Sequence, residues 1–269
     1  MNTTANYGGV TYKEVIAFQT KILFGAQFGR IMWAKDLNNG ELDERQNEIL
    51  IACLRLGWND AFRHVSKNAP NVDKNVKEYK KQGKYISKIL KLFRGKIKKE
   101  EKHADFDDYF CDDVISKEKF LDIFKSYAGA DADDKSKIIE NEMGALKKLF
   151  INVKRELSFG HMQKMFNMAV KLYLCLYVCR DELGLDKELF VKGIVDKFDQ
   201  AHCPVDSIIL GEIDQNEMCS LGEGQPYKEP HSKYKWSQLK KDEYDKIQGK
   251  IAEKCTGKSN LFYDFENRN

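Results

Sequence analysis

The side chains best suited to chemistry lie at the beginnings of two predicted helices. The first helix follows Ser158 and carries Lys164 in a stretch, Met162 to Cys179, that is otherwise almost entirely apolar. The second helix is opened by Pro204 of the triplet Pro204-Val205-Asp206, so Asp206 is expected within its first turn. An amine in apolar surroundings is favoured in its neutral, nucleophilic form, and a carboxylate at a helix start is stabilised by the helix dipole. One segment therefore offers a candidate nucleophile, and the other offers a stable negative charge.

Each of these segments also has a purely structural interpretation. Lys164, Asn167 and Lys171 are spaced i, i+3 and i+7, so they form one polar stripe on a buried helix. Such a stripe must face water, a partner chain or a cleft. In the simplest case it touches solvent and the lysine side chains extend into water. Asp206, taken alone, is simply a favourable residue for starting a helix.

Together the two segments resemble a known enzyme family. Gln163-Lys164 followed by an apolar helix, and then Pro204-Val205-Asp206, are similar to the helix-hairpin-helix DNA glycosylases, especially the 8-oxoguanine glycosylases. That family places a catalytic lysine near the start of a buried helix and a Pro-Val-Asp at the start of a later one. The resemblance covers about a fifth of the chain. It implies that Lys164 is the nucleophile and Asp206 its acidic partner.

The reaction implied by this resemblance is removal of a damaged or modified guanine-type base from DNA. Attack of Lys164 on the anomeric carbon would expel the base and leave a Schiff base, from which strand cleavage can follow. Asp206 would remain ionised, stabilise positive charge on the sugar and assist proton transfers. The target base would have to leave the stack to be reached. We expect no cofactor.

Two histidines flank these motifs, one just before each. His161 and His202 could approach each other if the two helix starts converge, giving a polar pocket with Lys164 and Asp206. We therefore treat His161, His202 and Asn167 as candidate substrate-binding residues. The alternative is two ordinary loop histidines. No metal site is predicted, because the spacing reveals no third ligand.

Composition favours an all-α, multi-helix globular protein. Among 269 residues, 42% are hydrophobic and 32% charged, which excludes general disorder, a collagen-like fibre and a disulfide miniprotein. With 4 prolines, few turns are expected, and helical periodicity recurs along most of the chain. The resemblance also implies an architecture in which two helical lobes flank a cleft, as in the helix-hairpin-helix glycosylases. We expect one helical domain over 1–269; if it divides into two lobes, these are 1–130, with the basic residues 74–102, and 131–269, with the candidate site.

The periodicity and the capping residues predict where helices begin and end. Helices are expected over about 12–34, 42–64 and 136–156 and within 74–102. Further helices should follow Ser116, Ser158 and Asp186. Pro204 should open a short helix through Ile213, since proline suits a first helical turn. The last helix should follow Trp236-Ser237 and end near Gly257. Trp33, Trp58 and Trp236 are candidates for base stacking but more often such residues are core, and Trp236 could equally be a hydrophobic staple before Ser237. None is assigned to a base pocket.

The charges are segregated along the chain. Residues 74–102, here called the basic segment, hold twelve Lys or Arg and three Glu, whereas residues 104–135 hold ten acidic residues and four lysines. Aromatic residues such as Tyr79, Tyr85 and Phe93 interrupt the basic segment, a mixture that suits a nucleic-acid backbone. A solvated helix face beside an acidic loop is the alternative. We expect a nucleic-acid partner, DNA rather than RNA.

The sequence indicates neither membrane insertion nor secretion. Its longest apolar run, Leu172 to Cys179, is far shorter than the roughly 20 residues that a span requires. The first residues contain no basic and apolar signal pattern, and the seven cysteines form no CxxC pair. We expect a cytoplasmic protein with reduced, mostly buried thiols.

Two other functions stay open at this point. A non-catalytic nucleic-acid-binding or regulatory helical protein would use the basic segment while Lys164 is structural. A helical protein–protein module, of a mobile element or a defence system, would use the segregated charges for association. Substitution of Lys164 separates the enzyme from both.

Overall fold

The computed structural model describes residues 40–66, 117–148, 157–183, 185–216 and 235–267, and every regular element in these ranges is helical. The α-helices are α1 (Leu42–Ser66), α2 (Lys117–Ala128), α3 (Ala132–Lys148), α4 (Phe159–Val178), α5 (Arg180–Leu183), α6 (Lys192–Val195), α7 (Ser207–Asn216), α8 (Lys241–Lys254) and α9 (Leu261–Glu266). The expected all-α class is confirmed for this part. The helix predicted over 12–34, the basic segment 74–102 and Trp33 lie outside it. Among the described helices, none has the length and apolar character needed to cross a bilayer.

Helix α4 is the centre of the fold. All of its residues, from Phe159 to Val178, are buried, as its apolar sequence predicts. Ser158 begins the helix, because its Oγ accepts a hydrogen bond from the backbone N–H of His161 at 3.2 Å. Helices α1, α2 and α3 and the 3₁₀ turn Trp236–Gln238 pack around it. Aromatic contacts join it to α2, where the rings of Tyr127 and Phe166 lie 5.1 Å apart.

A glycine allows α1 to cross α4 at very short range. A Cβ atom built on Gly57 would lie 2.4 Å from the backbone oxygen of Met165 and 3.1 Å from the backbone nitrogen of Ala169. These distances are below normal van der Waals contact, so only glycine fits without displacing a helix. The crossing brings the C-terminal part of α1, including Asp60, to the beginning of α4.

The polar stripe of α4 faces protein, not solvent. Lys171 forms an ion pair with Asp264 of α9, both side chains are fully buried, and the Lys171 Nζ atom lies 4.4 Å from the centre of the Phe265 ring. Removing both charges from water is costly, and their mutual attraction offsets much of that cost. The solvent-facing interpretation of the stripe is therefore wrong.

A second buried lysine joins α2 and α3. Lys135 is fully buried and donates hydrogen bonds to the backbone oxygens of Tyr127 at 2.8 Å and Ala128 at 3.2 Å. These carbonyls lie at the end of α2 and have no partner within the helix; the ammonium group satisfies both, and the Tyr127 carbonyl also accepts from the Ala130 N–H at 3.3 Å. Burial lowers the pKa of Lys135 to about 8.

Several helix boundaries differ from the sequence prediction. Pro204 does not open a helix: residues 201–206 are non-helical, and α7 begins at Ser207. Asp186 precedes only a 3₁₀ turn, Lys187–Leu189, and its side chain forms no capping hydrogen bond. Helix α9 was not predicted. The end of α8 near Gly257, whose φ is +75°, agrees with the prediction.

The cysteines of the described residues agree with the prediction of buried thiols. These are Cys53, Cys175, Cys179, Cys203 and Cys255, and each is a buried thiol. Burial raises the pKa of the Cys53 thiol well above its usual value. Such thiols pack as small apolar groups and react slowly.

Gly57→Ala tests the short helix crossing. The added methyl group would meet the α4 backbone, so we expect a loss of about 1–3 kcal/mol or more in the free energy of unfolding, measured by urea denaturation. Gly144→Ala is the matched control, because its Cβ would meet nothing within 4 Å on the exposed side of α3. The control should gain roughly 0.5–1 kcal/mol. A Gly57→Ala protein as stable as wild type would contradict the close crossing.

Candidate active site

The structure brings the two predicted reactive groups together. The Nζ atom of Lys164 lies 3.9 Å from Oδ2 of Asp206, and both side chains are only 7% exposed. A third residue joins them: Oδ2 of Asp60, on α1, lies 3.0 Å from the same Nζ atom, and the Asp60 side chain is 26% exposed. One amine is thus held between two carboxylates that differ in their access to water.

Asp206 is fixed by the helix that follows it. Its Oδ1 atom accepts hydrogen bonds from the backbone N–H groups of Ile208 at 3.0 Å and Ile209 at 3.2 Å. The carboxylate therefore lies just before the first turn of α7 as a capping residue, not within that turn as predicted. One oxygen caps the helix while Oδ2 faces Lys164. The helix dipole stabilises the ionised form of such a capping carboxylate.

Trp236 covers the other side of the amine. The Nζ atom of Lys164 lies 4.5 Å from the centre of the Trp236 ring, in a cation–π contact. His161 packs edge-on against the same ring, with a centroid distance of 5.4 Å. The imidazole of His161 therefore reaches the site through Trp236.

Two features hold Trp236 at the beginning of α4. A Cβ atom on Gly160 would lie 2.0 Å from the backbone oxygen of Trp236, so only glycine permits this approach. Ser158 Oγ donates a hydrogen bond to the backbone oxygen of Ser237 at 2.5 Å. Because that hydroxyl donates there, the Nδ1 atom of His161, 2.7 Å from the same Oγ, must be the donor in their contact.

The non-helical segment 201–206 places Asp206 at this position. Its backbone is hydrogen-bonded by side chains and not by a neighbouring strand. Gln163 of α4 binds the backbone of Val205 at two points: its Nε2 donates to the carbonyl at 2.8 Å, and its Oε1 accepts from the N–H at 3.2 Å. Gln248 of α8 binds Cys203 in the same way, at 2.7 and 3.1 Å. Pro204, between them, has no N–H to satisfy. Two amide side chains thus replace a β-sheet partner.

Asn167 and His202 belong to a buried network centred on Tyr244. The Nδ2 atom of Asn167 donates to the Tyr244 hydroxyl at 2.8 Å, and its Oδ1 accepts from the Tyr127 hydroxyl at 2.5 Å. Nδ1 of His202 lies 2.9 Å from the same Tyr244 hydroxyl. Within the described residues, the polar contacts of Lys164 are instead with Asp60 and Asp206.

His202 is held neutral by its surroundings. Burial, and secondly the positive charge of Lys135, lower the pKa of His202 to about 3. The unprotonated Nδ1 atom can then accept a hydrogen bond from the Tyr244 hydroxyl, whose own pKa is raised by burial. A neutral, buried imidazole supports the packing of the 201–206 segment.

Of the five predicted site residues, Lys164 and Asp206 meet directly and His161 reaches them through Trp236. Sequence reasoning missed Asp60 and did not assign Trp236 to the site. Asp60 offered one weak signal, an acidic residue two positions after Trp58 in the largely buried part of α1. No group of three or more His, Cys, Asp or Glu in the described ranges is arranged to hold a metal ion.

Neither a family model, nor a curated protein, nor a solved structure matches this chain. Its function is therefore inferred from the chemistry of the site.

His202→Asn tests the neutral histidine. The folded state resists protonation of His202 down to about pH 3, whereas the unfolded state binds a proton near pH 6.5. Stability from this group is therefore present above pH 6.5 and is lost as the pH falls towards 3. Between about pH 6.5 and 4.5, wild type should lose about 2 kcal/mol more free energy of unfolding than His202→Asn. Parallel pH profiles in urea denaturation would contradict a buried neutral imidazole.

Proposed function

We propose that this protein is a DNA glycosylase with abasic-site lyase activity, which excises a damaged or modified guanine-type base through a Schiff base on Lys164. One observation carries the proposal. Lys164 and Asp206, from different helices, lie 3.9 Å apart, each 7% exposed. This is the pairing that the resemblance to helix-hairpin-helix glycosylases requires.

The surroundings of each group suit its proposed task. Lys164 is itself buried on a helix whose side chains are all buried, so the amine lies in surroundings that limit access of water. Asp206 receives two backbone N–H groups, so its negative charge is preorganised. A fixed charge near the anomeric carbon would stabilise the positive sugar that forms as the base leaves. No metal or other cofactor is needed for these steps.

The remaining parts of the proposal concern how DNA is held. The basic segment 74–102 would bind the phosphates, and a flipped base would enter a cleft between lobes 1–130 and 131–269. Asp60 comes from the first of these ranges, and Lys164 and Asp206 come from the second. His161, Asn167 and His202 would then support the substrate pocket. We place this activity in the cytoplasm.

Borohydride trapping tests the proposal. Wild-type protein should form a covalent adduct with oligonucleotides carrying an abasic site, 8-oxoguanine or another modified guanine. Lys164→Gln should form none while binding the same DNA with nearly unchanged affinity, because the amine is lost and the phosphate contacts stay. Lys241→Gln is the matched control, since Lys241 pairs with Asp245 in a partly exposed contact on α8. It should trap DNA at the wild-type rate.

A non-catalytic nucleic-acid-binding protein is the second candidate. The ion pair at 3.0 Å with Asp60 favours it, because a paired lysine can be purely structural. In that case wild-type protein would form no borohydride-trapped adduct with any of these oligonucleotides. Charge reversal within the basic segment would abolish a strongly salt-dependent binding, and Lys164→Gln would leave it unchanged. That pattern of results would refute the proposed glycosylase activity.

A further inference from the structure

The two carboxylates around Lys164 differ in what else they can do. Asp206 is 7% exposed, and its Oδ1 atom accepts two backbone N–H bonds. Protonation of Asp206 would weaken the cap of α7 and remove a charge from the N-terminal end of its dipole. Asp206 is therefore suited to remain a fixed anion throughout a reaction.

Asp60, by contrast, lies closer to the amine and is partly exposed to water. Its Oδ2 atom is the nearer one to the amine, at 3.0 Å, which is hydrogen-bonding distance for proton transfer. Its side chain is 26% exposed, so a proton received there can pass on to water. Lys164 Nζ also lies 3.5 Å from the Asp60 backbone oxygen, so two atoms of one residue face the amine.

We propose that Asp60 is a catalytic residue that accepts the proton released by the Lys164 amine during Schiff-base formation. This inference rests on the proposed glycosylase function. It assigns the two acidic residues different tasks: Asp206 is the fixed charge, and Asp60 is the proton carrier.

The steps balance without an oxidant or a reductant. The Lys164 ammonium first gives one proton to Asp60 Oδ2, which passes it to water. The neutral amine then attacks the anomeric carbon, a C1′–Nζ bond forms, and the bond from C1′ to the base breaks with its electron pair leaving on the base, which takes a proton from water. Nζ then carries an extra proton and a positive charge. Asp60 Oδ2 accepts that proton, and the freed nitrogen lone pair forms the C=N bond. The C1′–O4′ bond breaks, O4′ takes up a proton, and Asp60 returns its own to water.

The first test compares single-turnover rates of trapping at saturating abasic-site DNA. Asp60→Asn keeps the shape of the side chain and cannot accept the proton, so the rate should fall about 100-fold or more, with the Kd for DNA nearly unchanged. Asp245→Asn is the matched control, because it also removes a helix carboxylate from a partly exposed ion pair, at 2.8 Å from Lys241. It should keep the wild-type rate.

The second test uses Asp60→Ser, assayed with and without formate. A small carboxylate that occupies the vacated space can accept the proton, so formate should raise the trapping rate by about tenfold or more. Because both rates come from one protein sample, a loss of stability cannot imitate this rescue. Formate should not accelerate wild type or Asp206→Ala.

The outcomes separate this inference from the function on which it rests. If wild type traps DNA and Lys164→Gln does not, while Asp60→Asn retains the wild-type rate or Asp60→Ser is indifferent to formate, Asp60 is only a counter-ion. The glycosylase proposal would then survive. Absence of any adduct with wild type would overturn both.

Discussion

The arrangement of the site depends on how a buried, extended piece of backbone is hydrogen-bonded. Residues 203–206 are all buried and belong to no helix or sheet, so the backbone groups of Cys203 and Val205 have no partner strand, whereas the Asp206 carbonyl accepts a hydrogen bond from the Leu210 N–H. Gln163 and Gln248 supply the partners at alternate residues, Val205 and Cys203. Because Gln163 directly precedes Lys164 on α4, the same helix that carries the amine also fixes the segment that ends in Asp206.

Helix α4 combines this task with the burial of several charges. Lys171 is matched by Asp264 inside the core, where neither side chain reaches water. Lys164 is matched by Asp206 and by Asp60, and Asp60 keeps contact with solvent. Both arrangements offset the cost of burying a lysine, but only that of Lys164 includes a partly exposed carboxylate, Asp60. For that reason the proposed chemistry is assigned to Lys164 and not to Lys171.

Local signals in the sequence predicted part of this arrangement. The largely apolar character of 162–179 predicted a buried helix and Ser158 its beginning, and the resemblance to the glycosylase motifs implied that Lys164 and Asp206 pair. The prediction that Pro204 opens a helix was wrong for a physical reason. Proline is compatible with a first helical turn, but here distant glutamines bind the backbone on both sides of it, so the helix begins at Ser207. Asp60 reaches the amine only because Gly57 lets α1 approach α4, a tertiary contact with no local pattern in the sequence.

The most direct measurement of the central claim is to locate the attachment point of DNA by mass spectrometry after borohydride reduction and nuclease and trypsin digestion. If Lys164 is the nucleophile, the remnant of the sugar should lie on the peptide 156–171, with cleavage after Lys164 blocked by the modification. Attachment to a lysine of the basic segment, or to the N-terminal amine, would contradict the account.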